Sequence, residues 1–521
     1  MSLVKASKIS LILLVIIVVS KLTGFVRDML LAGKFGSGAE TDAYFIAITA
    51  STILFAIIAG ALNTIIIPLM SDIRENQGRE KELVYVNNMV NIVILFTAAL
   101  TLLGYFIAPF MIRILASGFR GETFDLAVKL TRVGLPVMIF NGFLCVMKGY
   151  LHVHGEFKVP AYEGFALSIP VILYLIFLTD VFGITGLMVV VTVSGLFRVL
   201  VYLPALFRNG YRFRPVVDPG NRDFKKTVVL LGPILIGIIS GYINLAVDRT
   251  IASRLVEGSI SALSYASRIQ AVVSEILALT ITTVVYTMIA GYITSNDDKE
   301  LKKTIKFGFN VVVLIALPAA IGLIVLDYPV TKLLFQRGAF TEGDTLMTAS
   351  ALSFYSIGLV AAVVKDLTSK IYFAKQETKI PMIVSICSVV LNIILNLILS
   401  KSMGHNGLAL ATSTATVFSM TILLILLRKR ILDIDLRQNM VDFAKALAAG
   451  LAMGGLVIIM RTFVFDTVNG SFVARGIRLV TIAGTGAVFY GLLLYAFRVE
   501  EVVVGTRKVI VRIGGMLKGN K

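Results

Sequence analysis

Tryptophan is absent from the chain, cysteine occurs twice, histidine three times, and charged residues make up only 15% of its 521 positions. Without tryptophan, any interfacial belt has to rest on tyrosine and phenylalanine. Cys145 and Cys387 both lie in apolar stretches, where a cysteine usually serves as a small core side chain, so no disulfide framework is expected. The scarcity of charge excludes a water-soluble globule. With 57% hydrophobic residues and a mean hydropathy of +0.89, apolar side chains would have to cover the surface as well as the core. Nucleophile elbows, phosphate-binding glycine loops and metal-ligand spacings are also missing, and His152 and His154 read as loop residues at a helix end. Covalent catalysis is therefore not expected, and no metal site is assigned.

What the chain does contain is apolar blocks of roughly 20 residues separated by short charged punctuation, the length a helix needs to cross a bilayer. The alternation of a β-barrel does not occur. The blocks predict an all-α polytopic membrane protein of about fourteen helices, over 8–33, 41–70, 87–113, 126–151, 161–180, 184–207, 227–254, 260–292, 304–327, 346–373, 380–400, 405–428, 441–464 and 473–497. Lys5 and Lys8 before the run Ile9 to Val19 imitate a signal peptide, but the helix continues through Lys21 and is read as a retained first span. The net charge of +18 is spread over short loops without clustered aromatic platforms, which argues against a nucleic-acid partner. The loops on one side include most of the clustered cations: Arg74, Arg79 and Lys81; Arg208 to Lys226; Lys299 to Lys306; Arg428 to Arg437; and the tail. The positive-inside rule then places both termini in the cytoplasm.

Sliding the chain against itself until Tyr44 falls on Tyr265 also lays Lys158 and Pro160 over Lys379 and Pro381, and Gly183, Gly186 and Leu187 over Gly404, Gly407 and Leu408. The same offset matches the boundaries of the blocks. A repeat of six helices enters the membrane in the same direction in both copies, so the two lobes are parallel repeats around an axis along the membrane normal. This gives an N-lobe over 1–221, a C-lobe over 222–440, and two further helices with a basic tail over 441–521. Paired lobes around a central cavity are the plan of a transporter.

Ionisable groups within spans cost roughly 2.5–3.5 kcal/mol each on insertion scales and therefore face a cavity or a partner. Eight of them fall on the leading spans of the two repeats: Lys21, Arg27, Asp28 and Asp42 in the first, Asp248, Arg249, Arg268 and Glu275 in the second. Arginine presents a fork that matches phosphate oxygens, so these cations suit an anionic headgroup. The other reading for Arg27, Asp28, Asp42 and Arg254 is snorkelling from helix ends. Asn392 and Asn396 stand at i and i+4, and with Thr412 and Asp248 they offer oxygens to a hard cation such as sodium; interhelical hydrogen bonding is the alternative. Lys365, Asp366 and Lys370 are read as a local charge network.

The stretch from Ser20 to Asp28 (SKLTGFVRD), followed by Thr41 to Phe45 (TDAYF), resembles the opening of the MurJ (MviN) lipid II flippases. Leu334 to Thr341 (LFQRGAFT), Tyr372 to Pro381 (YFAKQETKIP), Leu391 to Asn396 (LNIILN) and Gly407 to Ser413 (GLALATS) resemble that family in the same order. The resemblance covers the first twelve spans. It implies the multidrug/oligosaccharidyl-lipid/polysaccharide exporter fold in the bacterial cytoplasmic membrane, and transport of an undecaprenyl-pyrophosphate-linked precursor by alternating access. It also implies headgroup-binding roles for Lys21, Arg27, Asp42 and Arg268 and a groove for the polyprenyl tail on the last two helices; a monomer is expected, although the sequence does not name the oligomeric state. A coupling ion, Na+, or the membrane potential is the expected energy source. Many members carry arginines midway along the second span, whereas Ser51 to Met70 here is uncharged, so a flippase for another undecaprenyl-linked saccharide stays open. A drug/cation antiporter of the same superfamily ranks behind it, because its cavity would favour acidic residues, and a membrane scaffold would need no cavity at all.

Overall fold

A computed structural model describes residues 3–295, 297–431, 437–465, 471–504 and 506. The basic tail lies outside the described residues, as do the side chains of Lys5 and Lys8. The elements are helices: α1 Leu3–Phe35, α2 Ala39–Gln77, α3 Arg79–Leu115, α4 Gly121–Gly134, α5 Val137–Val153, α6 Lys158–Phe177, α7 Thr179–Arg208 and α8 Arg222–Ala252. They continue as α9 Ser259–Thr294, α10 Asp298–Val325, α11 Asp327–Phe335, α12 Glu342–Ile357, α13 Leu359–Ala374, α14 Lys379–Met403, α15 His405–Leu426, α16 Arg437–Met460 and α17 Phe472–Ala496. Among the described residues nine helices are long and apolar enough to cross a membrane, or up to twelve if each bent pair is one span, a count that leaves α1 and α9 aside. All three bent pairs are single spans in the sequence reading: α4 with α5, bent by 41°, the two halves of α8, bent by 55°, and α12 with α13, bent by 43°.

The described bends and turns repeat at the offset found in the sequence. Gly183 (φ 55°, ψ −153°) breaks α7 near its start, and its counterpart Gly404 (φ 58°, ψ −135°) separates α14 from α15. Gly155 (φ 73°) ends α5, and its counterpart Gln376 (φ 61°) ends α13. The α4–α5 bend is matched by the α12–α13 bend, and each is stapled alike: the Thr192 hydroxyl donates to Val133 O (3.0 Å), and the Ser413 hydroxyl donates to Phe354 O (2.6 Å). A helix bend loosens a backbone carbonyl that lipid cannot satisfy, and a hydroxyl from a neighbouring helix takes it up.

By packing, the chain forms two compact units, Met1–Ser264 with Arg337–Asp344, and Tyr265–Gln336 with Thr345–Lys521. In the first unit, α2, α3, α5 and α7 enclose a core around Phe55, Ile66, Met70, Tyr150 and Tyr202. Small residues let these helices approach, for a Cβ on Gly149 would meet Ile66 at 2.6 Å. The linker from α7 to α8 is held against α3 by three carboxamides. Asn87 donates to Arg212 O and accepts from the Arg214 N–H and the Tyr211 hydroxyl. Asn88 makes a reciprocal pair with the backbone of Asp218, and Asn91 donates to Arg214 O and Val216 O. Packing thus keeps α8 with the first repeat, although the offset equates it with α1. In the second unit, Val312, Leu367, Tyr372 and Leu423 form one core, while Leu317, Met453, Val457 and Ile482 join α10, α16 and α17 in another.

A Cβ added at Gly183 or Gly404 would meet nothing within 4 Å, so a side chain there adds only backbone strain. Gly183→Ala and Gly404→Ala are each expected to cost about 1–3 kcal/mol in thermal unfolding of the purified protein. Gly155→Gln, which copies its counterpart in the second repeat, is expected to cost about 1 kcal/mol or less. Equal losses at all three positions would contradict the equivalence of the two turns.

Candidate functional site

The start of α2, which carries Asp42, meets the start of α9 inside the first unit. Gly38 opens α2, and the Ala39 N–H is capped by Glu257 Oε1 at 2.8 Å. In return Asp42 caps α9: its Oδ2 accepts from the Gly258 N–H (2.9 Å), and its Oδ1 accepts from the Ser261 N–H (2.7 Å) and hydroxyl (2.5 Å). The Ser37 hydroxyl donates to Gly258 O at 3.0 Å. These partners are 216 to 221 residues apart, close to the interval of the repeat, so equivalent helix starts face one another. Asp42 is buried, and these three bonds all run to α9 and the turn before it. Carboxylate oxygens at a helix start satisfy amides that would otherwise have no partner and complement the positive end of the helix dipole.

Arg27 lies on α1 beside Asp28 and donates to its Oδ1 through Nε (3.0 Å) and Nη2 (2.8 Å), which makes the two neutral as a unit. Lys21 lies earlier on the same helix and is exposed. Arg249 donates to the Ser264 hydroxyl (2.8 Å), and Asp248 accepts from Asn244 on the same helix at 3.4 Å. Arg254, exposed just past the end of α8, donates to the Ser117 hydroxyl.

In the second unit, Arg268 and Glu275 are both exposed on α9, two heptad-spaced turns apart and hence on one face. Asn392 and Asn396 are buried on α14; Asn396 donates to Asn392 Oδ1 (2.8 Å) and Asn392 donates to the Thr412 hydroxyl (3.4 Å). The three polar groups of the candidate cation set in this unit are therefore adjacent, linked by one bond within α14 and one from α14 to α15, the interhelical bond being the kind their alternative reading named. Asp248, the fourth, belongs to α8 in the first unit. Lys370 pairs with Asp366 at 2.8 Å, a local network as the spacing suggested.

One charged cluster escaped the sequence reading. Arg198 of α7 is ion-paired with Glu163 of α6 and donates to Asn141 Oδ1 of α5 (2.8 Å), while the Tyr202 hydroxyl donates to the other Glu163 oxygen (3.0 Å). The signal was a lone arginine midway through one apolar run and a lone glutamate near the start of another, charges that the concentration on leading spans drew attention away from.

Asp42→Ala is expected to destabilise the protein by about 2–4 kcal/mol, because buried donors lose their acceptors, and Asp42→Asn by less. Thermal unfolding checks this against Glu40→Ala, which changes an exposed neighbour; equal effects would contradict the capping role.

Comparison with known proteins gives the arrangement a context. Residues 31–477 match the family model described as lipid II flippase MurJ. The probable lipid II flippase MurJ of Buchnera aphidicola subsp. Schizaphis graminum is 29% identical over 483 residues, 92% of this chain and 94% of that protein. The lipid II flippase MurJ of Burkholderia cenocepacia is 26% identical over 450 residues, 84% of this chain and 87% of that one. A solved lipid II flippase MurJ in an inward closed conformation superposes with a TM-score of 0.79 at 25% identity, covering 93% of this chain and 99% of its own. An inward-facing multidrug transporter of the MATE family, from the MOP superfamily, gives a TM-score of 0.68 at 16% identity over 79% of this chain and 94% of its own, a likeness of fold alone.

Proposed function

The chain belongs to the lipid II flippase MurJ family, and on that premise we propose that it carries lipid II across the cytoplasmic membrane by alternating access. The observation that carries the reading is the match over nearly the whole chain to a solved member of that family. The family is one of transporters, and the chain is accordingly a polytopic inner-membrane protein. Its orientation follows from the positive-inside rule, with both termini and the basic loops in the cytoplasm, where the precursor is taken up.

In this proposal the exposed Arg268 is the principal contact for the pyrophosphate, since a guanidinium fork matches two phosphate oxygens. Lys21 adds a second cation. Arg27, already held by Asp28, contributes direction more than net charge. Asp42 acts by fixing the starts of α2 and α9, the helix that carries Arg268. The apolar faces of α16 and α17 take the polyprenyl tail. Cations that move with the empty carrier make it responsive to an inside-negative potential at about 2.3 kcal/mol per charge per 100 mV, which favours its return. Asn392, Asn396 and Thr412 are the group that a coupling sodium ion would use.

Depletion of the resident lipid II flippase in a bacterium expressing this chain tests the reading. Survival is expected to be restored, to be lost with Arg268→Ala at undiminished membrane levels, and to be partly kept with Arg268→Lys. Full rescue by Arg268→Ala would remove the headgroup role. Collapsing the membrane potential in vesicles is expected to slow transport, and rates indifferent to the potential would leave the cation-driven return without support.

A further inference from the structure

The loops opposite the basic side are poor in Lys and Arg, yet one cluster of cations gathers there, at the far end of α3 and along α4. A cleft of about 550 Å³ opens between these helices in the first unit. Asp125, Lys129 and Arg132 line it from α4 at i, i+4 and i+7, one face of a helix. Tyr105 lines it from α3 and Phe124 from α4. The Arg132 guanidinium lies over the Tyr105 ring, 5.0 Å from its centroid, and its Nε donates to Tyr105 O at 3.1 Å. Arg113 lies over the Phe124 ring at 5.9 Å. Among the described residues no carboxylate comes within ion-pairing distance of Arg113, Lys129 or Arg132, and these three cations outnumber Asp125, the one carboxylate lining the cleft. Beside the cleft, α3 turns Phe106 and Phe110 outward, 68% and 63% exposed, in a stripe of lipid-facing apolar side chains.

We propose that this cleft binds an anionic phospholipid, its phosphate held by Arg132 and Lys129 and an acyl chain lying along Phe106 and Phe110. The charge is the argument for the occupant. Arg132 falls about three turns into α4 from its outer end, roughly 16 Å along the helix, where a cation without a counter-charge is costly. Its guanidinium is met there by a ring and a carbonyl but no anion. A phosphate supplies the missing charge, and the adjoining stripe accepts the chain attached to it. The orientation given above places the site in the outer leaflet.

Because the chain has no tryptophan, Phe106→Trp creates a single emitter at the mouth of the cleft. The variant is reconstituted in phosphatidylcholine bilayers containing either dibrominated phosphatidylglycerol or dibrominated phosphatidylcholine as quencher. Quenching is expected to reveal a preference for phosphatidylglycerol of about fivefold. Lys129→Gln with Arg132→Gln in the same background is expected to abolish it, and Phe177→Trp, on the exposed outer end of α6, is expected to show none. Should the double variant fail to fold, the comparison of the two tryptophan positions decides alone. Equal quenching by the two lipids at Phe106→Trp, or the same preference at Phe177→Trp, would overturn the proposal. Displacement of the brominated phosphatidylglycerol by equimolar undecaprenyl pyrophosphate would also overturn it, by giving the cleft to the transported lipid.

Discussion

A peptide group in hydrocarbon has no water to bond, and each one left unsatisfied costs several kcal/mol, so a chain in lipid must be helical wherever it is not sheltered by protein. The form of this molecule follows from how it meets that constraint where its helices begin, bend and end. At the α4–α5 and α12–α13 bends, Thr192 and Ser413 take up carbonyls from the turn before the break. At the starts of α2 and α9, Glu257 and Asp42 accept the first amides of the helix opposite. Between α7 and α8, where the chain is extended, Asn87, Asn88 and Asn91 stand in for the strand that would otherwise pair with it.

These solutions explain what was legible from the sequence alone. The repeat could be read because glycine at 183 and 404 and the lysines that open α6 and α14 recur at a fixed interval, and the same interval appears in the backbone as matched turns of positive φ. Spans were legible from their apolar length. Bends inside them were passed over because the runs stay apolar across Gly134 to Val137 and Ile357 to Leu359, although Pro136 and Gly358 stand at the breaks, and the hydroxyl that staples each bend comes from a different, later helix. Asp42 could be singled out as a charge near a membrane helix start, but its partners, Gly258 and Ser261, lie in the second repeat, and no local pattern shows that the carboxylate is occupied with α9. Arg27 and Asp28 are adjacent in sequence, an interval at which helical side chains do not ordinarily face each other, and only the length of the arginine lets them pair.

The distribution of charge separates two kinds of work. Asp42, Arg249, and the Arg198, Glu163 and Asn141 cluster have partners that fix helices to one another, and removing one partner would strand the other. Arg268, exposed on α9, is the cation that the proposed function gives to the headgroup. A carrier of an anionic lipid needs both: internal pairs rigid enough that a lobe moves as a body, and cations left accessible so that binding a headgroup changes the balance between its conformations.

The central claim, that this chain moves lipid II between leaflets, is met most directly by reconstituting the purified protein into vesicles with lipid II fluorescently labelled on its headgroup, and following bleaching by an impermeant reductant. The account predicts that bleaching proceeds beyond the outer-leaflet fraction reached in protein-free vesicles, and that a labelled phospholipid stays at that fraction. Bleaching of lipid II to the same extent with and without folded protein would contradict it.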